Sequence, residues 1–209
     1  MKKYDAVIIG FGKGGKTLAG FLAGKGQNVA LIEKSDKMYG GTCINVGCIP
    51  SKFLATSADR RSISNMSNEE YYKNSVVNKK ALIAKLNKAN YDKVASNNNV
   101  EVIDGLASFK DEHTILVQTG SEEYEVYAQR IFINTGLVPV VPKIEGLNLS
   151  KRIHTSETVM DMETFPESLA IVGSGYIGLE FTSTYSLFGS KVTVFGDNDK
   201  FLPRDDEDI

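Results

Sequence analysis

The residues of this chain best suited to chemistry are Cys43 and Cys48, its only two cysteines, carried in Gly40-Gly41-Thr42-Cys43-Ile44-Asn45-Val46-Gly47-Cys48-Ile49-Pro50-Ser51-Lys52. In an undistorted helix, positions five apart are separated by roughly 140° of rotation and too much rise for a disulfide, whose Cα atoms lie within about 7 Å. A bridge between them requires a bent backbone, and Gly47 suits a bend. A strained, accessible pair of this kind behaves as a redox couple, because strained disulfides are the more easily reduced ones. Two other readings compete with it: a pair of ordinary buried thiols that fall close together, and a metal site. Zinc is disfavoured, since a structural site takes four ligands and neither His113 nor His154 stands at ligand spacing from a second pair.

The elements that must position these thiols can be read outward from them. Residues 4–10 form a short apolar strand pattern, followed by Gly10, Gly12 and Gly15 at the spacing G-x-G-x-x-G, a helix over about 14–23, and a second strand over 28–33 that ends on Glu33. In such a unit the first glycine makes a tight turn, the second admits a pyrophosphate, the third lets helix pack on strand, and the terminal acid binds a ribose hydroxyl. The helix N-terminus contributes its positive dipole end. The pattern returns later: a strand from 169 to 173, Gly173, Gly175 and Gly178 at the same spacing, a helix from 176 to 188 ended by Gly189, and a strand from 191 to 195. Two dinucleotide sites in one chain fit a protein that passes electrons between two nucleotides.

Between them, helices are expected from 50 to about 63 and from about 78 to 96. Strand-like pieces at 100–103, 107–109, 114–118, 124–127 and 130–134 suggest a small antiparallel meander returning to a buried strand. Pro139, Pro142, Gly146 and a polar run over 148–158 mark a boundary, dividing the chain into domains at 1–150 and 151–209. A complete domain of the second type runs to ~100–150 residues, so the expectation is an N-terminal portion of a longer enzyme.

Composition bounds the function. With 42% hydrophobic and 24% charged residues the chain can bury a core, and its net charge of -2 argues against a nucleic-acid or anionic-membrane partner. No apolar run approaches the ~18 residues of a membrane span. Asp5, the glycines and Lys13 interrupt the start before a signal peptide can form. Two cysteines without an export signal suit the reducing cytoplasm, where such a pair is more often catalytic than structural.

The thirteen positions from Gly40 to Lys52 resemble, residue for residue, the active-site signature of the pyridine nucleotide-disulfide oxidoreductases, flavoenzymes that include glutathione reductase, lipoamide dehydrogenase and mercuric reductase. The resemblance extends along the whole chain. It implies an α/β fold in which an FAD-binding Rossmann-like domain of the glutathione-reductase type, with a small antiparallel meander, precedes the start of a second Rossmann-like domain that binds NAD(P). It implies that Cys43 is the interchange thiol, that Cys48 lies against the flavin in a redox-active disulfide with Cys43, and that Lys52 reaches the flavin and pairs with Glu180. FAD contacts are implied for Gly10, Gly12, Gly15, Glu33, Lys34, Gly41, Thr42, Lys52, Ala107, Thr135 and Gly136. Nicotinamide nucleotide contacts are implied for Gly173, Gly175, Tyr176, Gly178 and Asp197, with Tyr176 covering the nicotinamide pocket. A homodimer acting on a small-molecule substrate is implied as well.

Two departures qualify the resemblance. The family's catalytic histidine has no counterpart here, so His113 and His154 read as surface or satisfied polar residues, and the chain alone is expected to be inactive or nearly so. Where members that use NADPH carry an arginine, this chain has Gly196 and Asp197, which favours NADH. Val7 to Lys13, Met38-Tyr39 and Ile131 to Gly136 resemble the bacterial mercuric-reductase-like branch that acts against reactive chlorine species and hypothiocyanous acid. The alternatives are a dihydrolipoamide-type dehydrogenase and a non-catalytic FAD-binding module.

Overall fold

A computed structural model describes residues 1–120, 122–147 and 152–196. Its backbone separates into two compact units that interleave along the chain, Met1–Ile49 with Leu82–Val140, and Pro50–Ala81 with Val141–Ile209. Residues 50–81 cluster with the second unit.

The first unit is built on one six-stranded sheet in the order β3-β2-β1-β6-β5-β4. Its strands are β1 (Lys2–Ile9), β2 (Val29–Glu33), β3 (Val100–Asp104), β4 (Leu106–Phe109), β5 (Thr114–Thr119) and β6 (Glu122–Ile133). Strands β3, β2, β1 and β6 run parallel, and β5 and β4 continue antiparallel from β6. The centre is apolar on both faces, as a covered parallel sheet requires. Ala6 and Ile8 of β1 pack with Leu31 and with Leu22 of helix α1 (Lys13–Gly24). The alternate residue Val7 packs with Ile32, Ile115, Val117 and Val126 on the other side.

Two expectations about this sheet are corrected. The segment at 100–103 is not part of an antiparallel meander: it pairs parallel with β2, matching Val29 to Val100 and Ile32 to Ile103. The pieces at 124–127 and 130–134 are one strand, because Val126 and Tyr127 bond to β5 on one side and to β1 on the other. The chain thus passes from meander into central sheet without a break.

The second unit carries the parallel pair β7 (Ser168–Val172) and β8 (Lys191–Phe195), with helix α5 (Tyr176–Phe188) between them. Gly189, in the left-handed region at φ 105°, closes α5. Its core joins Phe181, Tyr185 and Phe188 of α5 to Leu54, Ala58, Tyr72 and Val76. Leu54 and Ala58 lie on helix α3 (Cys48–Asp59), and Tyr72 and Val76 on helix α4 (Asn68–Ala95).

Helix α4 begins about ten residues before its expected start. Ser67 explains this, because its carbonyl and hydroxyl accept from the Tyr71 and Glu70 amides, a capping arrangement written in Ser67-Asn68-Glu69-Glu70. Lys79 of α4 is buried, donating to the Met160 carbonyl at 2.7 Å and pairing with Asp161. Among the described residues no helix is long and apolar enough to cross a membrane.

Candidate active site

The cysteines sit where short helix α2 (Thr42–Asn45) gives way to α3. Gly40 and Gly41 turn the chain into α2 with φ of 92° and 77°, conformations that side chains resist. Gly41 is doubly constrained, since a Cβ there would lie 2.5 Å from the Gly12 Cα. The redox turn is thereby seated on the first glycine turn. Side-chain amides fasten it further. Asn45 donates to the carbonyls of Gly41 at 2.9 Å and Tyr39 at 3.0 Å, and Asn87 of α4 donates to the Asn45 side chain at 3.1 Å.

Gly47 acts differently from the expectation. Its φ is not in the left-handed region, and what matters is room: a Cβ there would stand 3.0 Å from the Thr42 carbonyl oxygen. The bend brings both cysteines together as thiols, Cys43 half-buried and Cys48 exposed. Cys43 holds its proton above the usual thiol range, chiefly through its hydrogen bond to Cys48 and then through burial. Lys13 and the Cys48 backbone amide pull in the opposite direction.

Apart from Lys52, which belongs to the second unit, the residues expected around a flavin nucleotide lie in the first unit. Gly10, at φ 105°, has no space for a Cβ, which would meet the Asn134 carbonyl, with the Thr135 nitrogen also near. A Cβ on Gly15 would run into the Gly10 carbonyl, which explains the close approach of α1 to β1. Thr42 Oγ1 lies 3.7 Å from the corresponding point on Gly136. Glu33 is buried and accepts the Phe11 amide at 2.9 Å and the Ser35 amide at 3.2 Å. Each carboxylate oxygen keeps a second lone pair for a hydroxyl donor. Lys34 lines a cleft of about 480 Å³ with Asp36, Asp104, Gly105, Gln118 and Thr119. Ala107 lies on β4 beside Leu106 of the same cleft. The glycine cradle, the open helix N-terminus and the buried acid fit a dinucleotide.

One residue of this cradle was legible only as part of Asn134-Thr135-Gly136. The Asn134 amide donates to the Gly10 carbonyl at 3.1 Å and lies against Gly12 and Gly14, at 2.9 Å from where a Cβ would stand on each. Its position directly after a central strand was the available signal. Asn45 and Asn87 had none, because their partners are fixed only by the fold.

In the second unit Gly173, at φ 117°, makes the turn, and Gly178 is held against its carbonyl. Gly175 caps α5 with open space where a Cβ would point, and Tyr176 is 74% exposed. Lys52 and Glu180 form an ion pair at 2.8 Å. The Lys52 hydrogen bond holds the Glu180 carboxyl below its usual range, against burial and with help from Ser51. Asp197 lies outside the described residues. His113 is about half exposed, as a surface residue would be, with its Nδ1 buried and without a hydrogen-bond partner among the described residues.

Residues 4–209 match the pattern of the family described as "Pyridine nucleotide-disulphide oxidoreductase", and the chain belongs to that family. A flavin and a pyridine nucleotide are the cofactors that this membership implies. The chain is 45% identical over its whole length to the "Probable pyridine nucleotide-disulfide oxidoreductase RclA" of Escherichia coli, of which it covers 46%. It is 34% identical to a "Soluble pyridine nucleotide transhydrogenase" of Mycobacterium bovis, covering 47% of that protein. A "Dihydrolipoyl dehydrogenase" of Acholeplasma laidlawii is 32% identical and 64% covered. A solved structure titled "HOCl-induced flavoprotein disulfide reductase RclA from Escherichia coli" superposes with a TM-score of 0.90 at 43% identity, over 99% of this chain and 45% of that one. The chain thus spans about half the length of the first two of these relatives.

Proposed function

We propose that this chain carries the flavin and dithiol half of an FAD-dependent oxidoreductase that draws electrons from NAD(P)H and delivers them through Cys43 and Cys48 to an oxidised small molecule. The observation that carries the reading is the thiol pair itself, in hydrogen-bond contact on a turn seated on the glycine cradle. When bound there, FAD would supply hydride acceptance from the nicotinamide and two-electron exchange with sulfur. The chain's own residues do the rest. Gly10, Gly12, Gly15 and Gly41 clear the space, and Glu33 would hold the ribose. Cys43, as thiolate, attacks the acceptor. Attack of Cys48 on the Cys43 sulfur then breaks the Cys43–acceptor bond, closes the disulfide and releases the acceptor with two electrons and, counting both thiols, two protons.

We assign the functional domains as 1–150 for FAD and 151–209 for the first part of the nicotinamide nucleotide domain, with the Lys52–Glu180 pair as a catalytic element. NADH is favoured over NADPH, because no arginine follows β8 at Gly196 or Asp197. The whole protein works as a homodimer in the cytoplasm. Its acceptor is an oxidant of the hypothiocyanous acid type, a disulfide or a metal ion, and the likeness to a protein described as HOCl-induced supports the first. The likeness to a dihydrolipoyl dehydrogenase supports the reverse reaction on a dithiol as the second reading. Replacing Cys48 by serine in the full-length enzyme tests the proposal: NAD(P)H-dependent turnover of the acceptor should fall at least a hundredfold, and unchanged turnover would remove the dithiol from the mechanism.

A further inference from the structure

The ring of Tyr39 is packed between Phe11 of the first glycine turn and Tyr91 of α4, with centroids 5.1 Å and 4.7 Å away, and the residue is 8% exposed. Phenylalanine would fill that volume equally well. A hydroxyl in such a place costs free energy unless it finds a partner, and the Tyr39 hydroxyl donates to the carboxylate of Asp104. Burial, and then this hydrogen bond, push the phenol further above the usual tyrosine range, so it remains a donor at neutral pH. Asp104 ends β3 as the register partner of Glu33 and stands in the wall of the cleft that Lys34 lines.

The backbone of Tyr39 belongs to the redox turn. Its carbonyl accepts the Asn45 amide at 3.0 Å. Beside it the Met38 carbonyl accepts the Gly41 amide at 2.7 Å, and the Gly40 amide donates to the Phe11 carbonyl at 3.1 Å. Asn45 lies on α2, two residues after Cys43, and a second tie reaches it there. The Asn87 amide donates to the Asn45 side-chain oxygen at 3.1 Å and to the carbonyl of Asp36, another wall residue of the cleft, at 3.2 Å. Two tethers thus run from the cleft wall to the helix that carries Cys43. Tyr39 is joined to that turn by the chain itself, so a shift of its side chain is passed on to Gly40 and Gly41.

We propose that Tyr39 is a positioning residue for the dithiol: its bond to Asp104 ties the redox turn to the end of β3 and holds Cys43 within reach of Cys48. This rests on the redox reading of the two cysteines. Helix α2 has four residues and cannot hold itself, because a first helical turn is unfavourable on its own. Whatever keeps two sulfurs together beforehand favours the bond between them, and the tether supplies that hold from outside the turn.

The equilibrium of the chain with glutathione reads the tether directly. One cysteine thiolate attacks oxidised glutathione, and the other attacks the mixed disulfide. A Cys43–Cys48 bond and two reduced glutathione molecules result, and these two carry the protons of the two thiols. Tyr39→Phe keeps the ring, removes the donor, and should lower the equilibrium constant for disulfide formation about fivefold, the worth of one hydrogen bond. Asp104→Ala should do the same, and combining it with Tyr39→Phe should lower the constant no further, since both remove one interaction. Asp104→Asn keeps an acceptor oxygen and should stay within about twofold of the unsubstituted chain. A constant unmoved by Tyr39→Phe, even with a lower Tm, overturns the proposal, and so do effects of Tyr39→Phe and Asp104→Ala that add. A chain that forms no Cys43–Cys48 disulfide at any glutathione ratio defeats the redox reading itself, which separates that failure from the failure of the tether.

Discussion

The chain builds the same strand, glycine turn, helix and strand twice, and the two turns differ in what holds them. At Gly10–Gly15 the protein itself crowds the loop, with Asn134 bonded to the Gly10 carbonyl and Gly41 pressed on Gly12. At Gly173–Gly178 the close approach among the described residues is that of Gly178 to its own turn, and Gly175 faces open space. The first loop is therefore shaped before any ligand arrives, and its glycines are required by folding. In the second, the middle glycine meets no crowding among the described residues, which leaves its role to the proposed nucleotide. On the proposed function, preorganisation would belong to the nucleotide beside the thiols, which would be held for every turnover.

The largest effect expected from this contrast is that of Gly10→Ala. It places a side chain at φ 105° against the Asn134 backbone, and should destabilise the first unit by about 3 kcal/mol or more, read as a large drop in Tm. Next comes Asn134→Ala, which removes one side-chain hydrogen bond and the packing under Gly12 and Gly14. A loss of about 1–2 kcal/mol is expected, with weaker flavin retention measured by the absorbance of the purified protein.

The Lys52–Glu180 pair should contribute less, within about 1 kcal/mol, because both side chains retain solvent contact, at 67% and 31% exposure. Glu180 has a depressed carboxyl, so this contribution is present above the ordinary glutamate range and disappears as pH falls through the lower folded value. Lys52→Met should flatten that part of the acid side of the stability profile. The smallest effect is that of Gly175→Ala. With φ of −77° and nothing nearby, it should leave Tm unchanged while weakening nicotinamide nucleotide binding at least tenfold by titration. Equal losses of stability for Gly10→Ala and Gly175→Ala would erase the contrast.

Much of this organisation was legible because it is local. The alternation from Ala6 to Ile8, the spacing of both glycine sets and the αL stop at Gly189 each depend on neighbours in sequence. What escaped depends on distant partners. The strand at Val100 took a parallel role because β2 offered an apolar edge, and β6 ran unbroken because two different strands bond its halves. Asn134 is 124 positions from the carbonyl it caps, and Gly41 is required by Gly12 rather than by its own turn alone. The start of α4 could have been found, since Ser67 and Glu70 spell a capping box.

On the proposed function, the Cys48 sulfur works against a flavin held on the first glycine cradle. The most direct test is the absorbance spectrum of the purified chain, taken anaerobically before and after two-electron reduction. The expected result is a yellow protein that gains a long-wavelength charge-transfer band on reduction and does not gain it with Cys48→Ser. A yellow protein whose reduced spectrum lacks the band would contradict it.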